Sequence, residues 1–257
     1  MLSRIFFIGV ISFLILPIVI IVVMSFSADQ YYVIDDLSFS LDWYKEFAAD
    51  PKWINSMWNS LILGSMSMAL SLIIGIPASL WIHDNNKYQN ILIGFVLLPV
   101  IIPPLISAVS WYFALSFIGW NNNLFNMIIS HFLLGVPFVV ICTLTALEKC
   151  KTEIEQMALI CGANKYEVFT RIQLPIIFPG ILAGALLAFM TSFDELIVSL
   201  FLSSYETRTV PLEMWSGLRE NISPVILVVT TITTIFSLIT MIVVTSANDR
   251  YGGNSNT

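Results

Sequence analysis

The sequence predicts an all-α integral membrane protein with six transmembrane helices. Hydrophobic residues make up 57% of its 257 residues, and charged residues only 11%. The apolar residues come in blocks of about 20 or more, the length with which a helix crosses roughly 30 Å of hydrocarbon. The predicted spans are Ile5 to Met24, Met57 to Ile82, Ile91 to Phe117, Met127 to Leu147, Ile176 to Leu202 and Pro224 to Ser246. We interpret residues 1–257 as a single transmembrane domain.

The first span has two interpretations. Arg4 precedes it and Ser25-Phe26-Ser27 follows it, a pattern that a cleavable signal peptide also shows. Its apolar run is longer than the roughly 7 to 15 residues of a signal-peptide core. A retained signal anchor is therefore favoured over a cleaved peptide.

The distribution of basic residues predicts the orientation. If the amino terminus lies inside the cell, seven Lys and Arg residues fall in inside segments and four in outside segments. The inside residues are Arg4, Lys87, Lys149, Lys151, Lys165, Arg171 and Arg250, and the outside residues are Lys45, Lys52, Arg208 and Arg219. The positive-inside rule then predicts that both termini are cytoplasmic. The acidic residues of the outer segments either gather cations by their negative potential or are ordinary solvated loop residues.

Composition argues against several other classes of protein. A net charge of -6 gives no support to nucleic-acid binding, which needs clustered Lys and Arg. Cys142, Cys150 and Cys161 lack CxxC spacing and a nearby His pair, so they predict packing residues, with no metal site and no disulfide framework. The chain also lacks GxxxxGK[ST], so it has no phosphate-binding loop of its own for ATP.

Prolines and aromatic residues mark the third span. Pro99, Pro103 and Pro104 must interrupt its hydrogen-bond ladder, which indicates either a kink or irregular backbone lining a cavity. Trp111 and Tyr112 lie further along the span. Their rings would stack on an alkyl-ammonium chain by cation–π attraction, or they serve only in packing.

Residues at the predicted membrane boundaries are interpreted as interfacial. His83 and His131 are expected there as polar boundary residues rather than ligands. Trp43 and Trp53 belong to the outer loop, where amphipathic rings suit the headgroup region, and Leu41 to Phe47 is predicted to form a short helix on that boundary.

The loop between the fourth and fifth spans predicts a helix-Gly-helix elbow. Thr152 with Glu155, and Asn164 with Glu167, have capping-box spacing, and Gly162 is placed to end the first helix. The apolar stripes of these two short helices are Ile154, Met157, Ala158 and Cys161, then Val168, Phe169 and Ile172. Such stripes either fold back against the protein's own helix ends or dock another protein.

The end of this elbow resembles the EAA signature of ABC importer permeases. In that signature Glu-Ala-Ala is followed after three residues by Gly and, nine residues later, by Ile-x-Leu-Pro. Gly162, Ile172, Leu174 and Pro175 all match at that spacing. Leu174-Pro175 is expected to end the elbow just before the fifth span, because a residue before proline is pushed out of helical conformation.

The start of the signature departs from the family pattern. Gln156, Met157 and Ala158 stand where the family has Glu-Ala-Ala, so only the final alanine is retained, and Glu155 lies immediately upstream as a substitute for the glutamate. In the family this elbow is the coupling helix, which inserts into a cleft of the ATP-hydrolysing subunit. The resemblance implies that Met157, Ala158 and Gly162 lie at that contact.

Further runs are similar to the polyamine branch of these permeases, whose relatives also handle opines and aminoethylphosphonate. They are Pro99 to Pro104, Ser192 to Val198, Thr209 to Leu212 and Ile222-Ser223-Pro224. The resemblance implies the fold of an ABC type I importer permease in a bacterial inner membrane, with no catalytic residue and no cofactor on this chain. It implies three partners: an ATPase dimer that holds ATP and Mg, a periplasmic binding protein, and a second permease that is either a different chain or a copy of this one.

Two carboxylates inside the fifth predicted span are the strongest pathway candidates. An ionised Asp194 or Glu195 there costs roughly 2.5 to 3.5 kcal/mol unless it faces protein, water or a partner charge. Successive helical residues point about 100° apart, so at most one of them faces a central pathway. Together with Ser192, such a carboxylate would replace the lost hydration of an ammonium group, or else the acids cap a broken helix near Thr191 and Ser192.

Two other functions use the same carboxylates. An intramembrane enzyme would need Asp194 and Glu195 as acid and base in one cavity, whereas adjacent helical positions diverge. An ion-coupled secondary transporter would use Asp194 as a proton or sodium site and would need no ATPase.

Overall fold

The protein is a bundle of helices. The computed structural model describes residues 2–28, 39–120, 123–150, 152–220 and 223–252. Its helices are α1 (Leu2–Met24), α2 (Asp42–Ala49), α3 (Pro51–Asp84), α4 (Gln89–Ile101), α5 (Pro104–Phe117), α6 (Asn123–Leu147), α7 (Thr152–Ile160), α8 (Lys165–Val168), α9 (Leu174–Phe193), α10 (Ile197–Leu202), α11 (Val210–Glu220) and α12 (Val225–Gly252). Lys151 and Ile222, used in the sequence predictions, lie outside the described residues, as do the side chains of Thr152 and Arg250.

Apolar helices of membrane-spanning length dominate the described part of the chain. Five segments are long and apolar enough to cross a bilayer: Phe6–Met24, Pro51–Asp84, Leu124–Leu147, Lys165–Phe193 and Val225–Ile242. Helices α4 and α5 pass the same test together but are bent by 89° relative to each other, which fits either a broken sixth span or a re-entrant loop. The predicted all-α membrane fold is confirmed.

The bend in the third span lies at its prolines. Ile102 ends α4 in an extended conformation, with φ -71° and ψ 129°, as expected for a residue before proline. Pro104 then occupies the start of α5, where its missing N–H costs nothing. Pro99 stays inside α4, so the break comes from the Pro103-Pro104 pair.

The fifth span is broken near its far end. Helix α9 stops at Phe193, and the chain turns through Asp194 and Glu195 before the short helix α10. The break within the predicted span Ile176 to Leu202 is the one that the capping interpretation of the two acids expects. The reason is local: the Glu195 side chain accepts hydrogen bonds from the first amides of α10, which starts a new helix.

The fifth span differs from its prediction where it begins. Leu174 is helical, with φ -57° and ψ -44°, although it precedes Pro175. Helix α8 passes through a π-helical turn, Phe169–Gln173, straight into α9, and the Leu174 N–H donates to the carbonyl of Phe169. The expectation that Leu174-Pro175 interrupts the elbow is wrong, because the wider π turn accommodates the proline ring without ending the helix.

Helices α3, α6 and α9 form the packed centre of the bundle. The hydroxyl of Ser67 donates to the carbonyl of Ile128 at 3.2 Å, so α3 and α6 approach closely through a small polar residue. A Cβ on Gly184 of α9 would lie 2.8 Å from the Cα of Val139 in α6. Small residues therefore set the spacing of these three helices.

Two apolar clusters lie at opposite ends of this bundle. The elbow-end cluster joins the ends of α3 and α6 to the start of α9 through Ile82, Leu147, Cys150, Leu174 and Ile177. The α11-end cluster contains Trp53, Val210 and Val225, with Trp43 and Phe47 packed against it. Helix α2, which contributes Trp43 and Phe47, is the short helix predicted at Leu41 to Phe47.

Candidate functional site

The elbow has the local geometry that its sequence predicts. Gly162 follows α7 with φ +95°, a left-handed conformation that suits glycine. The capping box at α8 is complete: the Glu167 N–H donates to Asn164 Oδ1 at 2.9 Å, and the Asn164 N–H donates to Glu167 Oε2 at 3.0 Å. The first predicted capping box involves the Thr152 side chain, outside the described part of the chain.

The two stripes of the elbow have different environments. Val168 of α8 is buried, and Phe169 packs on the elbow-end cluster, so this stripe folds back onto the protein. On α7, Met157 is 57% exposed and Ile160 85% exposed. An exposed apolar patch of this kind is typical of a protein–protein contact.

The residues predicted for coupling divide between the surface and the helix base. Gln156 and Met157 are exposed, and Ala158 is half-buried. Glu155 is half-buried, and its Oε1 accepts a hydrogen bond of 2.8 Å from Nε2 of Gln173. Glu155 is therefore engaged with the base of α9. Of the rest of the signature, Ile172 and Leu174 are half-buried and Pro175 is exposed.

A cavity of about 990 Å³ lies where α9, α11 and α12 meet. Its polar and aromatic lining includes Thr191, Asp194, Glu195, Trp215, Thr230, Thr233, Thr234 and Ser237. Asp194 and Glu195 are the charged residues of this lining, and among the described residues no basic side chain contributes to it. The cavity is therefore a site of negative potential with several hydroxyl groups.

The two carboxylates differ in their bonding. Glu195 Oε1 accepts from the N–H of Ile197 at 2.9 Å and from that of Val198 at 3.1 Å, so this side chain caps α10. Asp194 is exposed to the cavity, and within the described ranges its carboxylate has no hydrogen bond or ion pair. Glu195 therefore fits the capping interpretation, and the pathway interpretation of Asp194 stays a prediction.

The other predicted pathway residues lie elsewhere. Ser192 is buried, with 2% of its surface exposed, and does not line this cavity. Trp111 lines a separate apolar groove of about 390 Å³ beside Pro99 and Val198. Tyr112 is exposed, with its ring edge-to-face against Phe113 at 5.6 Å. The structure does not bring these three side chains together with Asp194.

His131 was predicted to lie at a membrane boundary, and this prediction is wrong. It is fully buried, and its Nδ1 lies 2.9 Å from Ser192 Oγ and 3.2 Å from the Ser192 carbonyl oxygen. Both partners belong to Ser192, so one residue of α9 supplies the contacts of this ring nitrogen. The correction comes from tertiary packing: α6 presents His131 to the last turn of α9.

Helices α11 and α12 contribute lining residues of the cavity that were not predicted from the sequence. Trp215 of α11 lines it, and so do Thr230, Thr233, Thr234 and Ser237 of α12. These four hydroxyl residues recur at i, i+3, i+4 and i+7 within an apolar span, the period of one helix face. That spacing was the available signal. Among the described residues there is no group of three or more His, Cys, Asp or Glu that could hold a metal ion.

Comparison with protein families decides the class of this molecule. The family described as "Binding-protein-dependent transport system inner membrane component" matches residues 71–252. The chain belongs to this family. It is the permease subunit of an ABC importer, a multi-pass inner-membrane protein without enzymatic activity of its own, so the intramembrane-enzyme hypothesis is excluded.

Individual relatives of this permease agree with the family. It is 23% identical over 253 residues to the spermidine/putrescine transport system permease protein PotC of Escherichia coli K12, covering 97% of this chain and 95% of PotC. It is 26% identical over 221 residues to the putrescine transport system permease protein PotI of the same organism, covering 83% of this chain and 78% of PotI.

A solved structure shows that the fold is shared. The permease aligns with a chain of a bacterial alginate ABC transporter, crystallised with an alginate pentasaccharide-bound periplasmic protein, at a TM-score of 0.69 and 21% identity. The alignment covers 100% of this chain and 95% of the other. The predicted type I importer permease fold is confirmed.

Proposed function

We propose that this permease forms part of the translocation pathway for a small cationic solute, a polyamine such as spermidine or putrescine. The observation that carries the proposal is the free carboxylate of Asp194 in a cavity of about 990 Å³. A solute that enters an apolar span loses hydration, and a carboxylate compensates an ammonium group by a charge-assisted hydrogen bond.

The remaining lining suits an alkyl-ammonium chain. Threonine and serine hydroxyls accept hydrogen bonds from ammonium groups, and the ring of Trp215 offers a face for cation–π contact. Trp215 thus provides the cation–π contact that was considered for Trp111 and Tyr112 from the sequence. Ser192 acts indirectly, through its bond to His131.

The relatives support the same solute class. PotC and PotI are permeases of spermidine/putrescine and putrescine transport systems. The alginate transporter shares the fold, so the fold alone does not select the solute. The alternative to a polyamine is another small solute, such as an opine or aminoethylphosphonate.

The exposed face of α7 supports ATP-driven transport. Met157 and Ile160 would insert into a separate ATP-hydrolysing subunit, with Ala158 and Gly162 at the same contact. ATP and Mg belong to that dimeric subunit. A second permease, either a different chain or a copy of this one, would complete the pathway, and a periplasmic binding protein would deliver the solute to the α11 end.

Uptake by the whole transporter tests the solute. Asp194→Asn keeps the size of the side chain but removes its charge, and we expect it to lower polyamine uptake at least about tenfold, the scale of one charge-assisted hydrogen bond. The measurement is uptake of labelled spermidine or putrescine into cells that contain the cognate binding protein and ATPase, with unlabelled opines and aminoethylphosphonate as competitors. Asp84→Asn, the same change at an exposed site outside the cavity, is the matched control. Unchanged uptake in Asp194→Asn, or a preference for anions, contradicts the proposal.

Co-purification tests the ATPase contact. Met157→Glu places a charge on the exposed face of α7, and we expect it to abolish ATP-dependent uptake and to release the ATPase from the purified permease. Tyr205→Glu, at an exposed site at the α11 end, should leave the ATPase bound. Uptake by this chain alone without ATP would instead support an ion-coupled secondary transporter.

The proposed orientation, with both termini cytoplasmic, places the elbow inside the cell. Cys161 on the elbow is exposed, whereas Cys150 is buried. A membrane-impermeant maleimide should therefore label Cys161 in inverted vesicles freed of ATPase and not in intact spheroplasts, with Cys161→Ser as the control. Labelling in spheroplasts would reverse the orientation.

A further inference from the structure

Helix α7 is tied to the transmembrane bundle by one side-chain hydrogen bond within the described ranges. Nε2 of Gln173 donates to Oε1 of Glu155 at 2.8 Å, and both residues are half-buried. The covalent connection on the carboxyl side of α7 passes through Gly162, whose left-handed conformation reverses the chain. Within the described ranges this hydrogen bond is the direct side-chain link from α7 to the base of α9.

Gln173 lies at the junction between a π-helical turn and α9. It is the last residue of the π-helical turn Phe169–Gln173 and immediately precedes Leu174, the first residue of α9. In this turn the Leu174 N–H bonds to the carbonyl five residues back, at Phe169. A π turn inside an otherwise regular helix is a common feature of functional sites.

The charge of Glu155 also acts on the end of α6. Burial raises the pKa of the Cys150 thiol, and the negative charge of Glu155 raises it further. Cys150 belongs to the elbow-end cluster together with Leu147 and Ile177. The hydrogen bond to Gln173 places the Glu155 carboxylate beside the base of α9.

We propose that the Glu155–Gln173 hydrogen bond is the strut through which a displacement of α7 moves α9, and that Glu155 is a positioning residue for coupling rather than a docking residue for the ATPase. The inference rests on the proposed function, because it assumes that α7 is the element the ATPase moves. It departs from the expectation that Glu155 substitutes for the signature glutamate at the ATPase surface.

The far end of the strut's path is the solute cavity. Helix α9 has 20 residues, so it extends about 30 Å from Gln173 to the turn that carries Asp194. Pro179 removes one backbone hydrogen bond from α9, and Gly180 and Gly184 beyond it pack closely against α6. A movement applied at Gln173 therefore travels toward Asp194 along a helix that α6 supports.

The test compares stimulated with basal ATP hydrolysis in the reconstituted transporter. Solute-loaded binding protein stimulates the ATPase only if a signal crosses the permease, whereas basal hydrolysis and co-purification report assembly. We expect Glu155→Ala and Gln173→Ala each to lower the ratio of stimulated to basal activity about tenfold, the scale of one hydrogen bond to a charged group. Both variants should retain the ATPase.

Exchanging the two residues distinguishes an effect of the hydrogen bond from an effect of either side chain alone. The double variant Glu155→Gln with Gln173→Glu restores a carboxylate–amide hydrogen bond with its polarity reversed, and we expect the ratio to recover to within about twofold of the original. Glu153→Ala, an exposed acid on the same helix, is the matched control and should leave the ratio unchanged. If the alanine variants fail to assemble, Glu155→Gln serves in their place, because it retains a weaker, neutral hydrogen bond and should lower the ratio about threefold.

Several outcomes would overturn the strut. Loss of the ATPase in Glu155→Ala with no effect of Gln173→Ala would make Glu155 a docking residue. Single variants that leave the ratio unchanged, or an exchanged pair that is no better than the singles, would remove the hydrogen bond from the coupling path. If the unaltered permease retains no ATPase at all, the proposed function fails, and that result is distinct from failure of the strut.

Discussion

The two ends of α9 are built differently. At the elbow end the helix begins with a wide π turn, and its polar link to α7 is a half-buried hydrogen bond to Gln173. At the cavity end the last turn is held by the buried contact between Ser192 and His131. Glu195 then starts α10. The elbow end is thus held by a half-buried hydrogen bond, and the cavity end by a buried one.

The segment between the two ends contains Pro179, which interrupts the helical hydrogen-bond ladder. Helix α9 also lies against α6 there, with Gly184 in near-backbone contact. The proposed strut requires that movement at the elbow end reach the cavity end through this segment. The contact with α6, the contact with His131 and the two helix caps can each be tested by substitution.

The contact between α9 and α6 at Gly184 should be the most sensitive to added side-chain volume. Gly184→Ala places a Cβ 2.8 Å from the Cα of Val139, and backbone must move to accommodate it. Overpacking of this kind costs about 1 to 3 kcal/mol. Gly94→Ala is the matched control, because a Cβ there meets nothing within 4 Å. The apparent melting temperature of the purified transporter should fall for Gly184→Ala only, and equal values for the two variants would refute a tight α6–α9 contact.

The contact between Ser192 and His131 at the cavity end should have the next largest effect on stability and uptake. His131→Ala leaves a void and deprives the buried Ser192 hydroxyl of a hydrogen-bond partner, a loss of about 1 to 3 kcal/mol. We expect lower thermal stability and a larger fall in solute uptake than in the amount of protein, because the turn that carries Asp194 loosens. His83→Ala, at a half-buried histidine at the end of α3, serves as control and should change neither quantity appreciably. A fall in uptake that only matches the fall in protein would limit His131 to a role in folding.

Removing the helix caps at Glu195 and at Asn164 should lower the stability by smaller amounts, which differ between the two ends. Glu195→Ala removes a partly buried charged acceptor from two amides of α10, and Asn164→Ala removes an exposed neutral acceptor at α8. Cap losses cover about 0.5 to 2 kcal/mol, and we expect Glu195→Ala near the upper value and Asn164→Ala near the lower. Thermal unfolding of the two variants measures the difference. The reverse order would mean that the elbow end is the more firmly held.

Local patterns predicted much of the elbow and little of the cavity. Gly162 and the capping box of Asn164 with Glu167 were predictable because each depends on residues within one turn. The break at Pro103-Pro104 was predictable because proline removes a backbone donor wherever it stands. The helical Leu174 was not, because the π turn that tolerates Pro175 has no simple sequence signal.

The membrane class, the elbow and the two costly carboxylates were readable from the chain, since composition, short-range spacing and the energy of burying charge are local properties. Three-dimensional packing was needed to learn that Glu195 caps a helix, whereas Asp194 has no partner among the described residues. It was also needed to learn that Trp215, and not Trp111, lines the cavity. Those outcomes depend on where α9 stops and on which helices surround that point. Contacts such as that of His131 with Ser192, 61 residues apart, belong to that arrangement and follow no local rule.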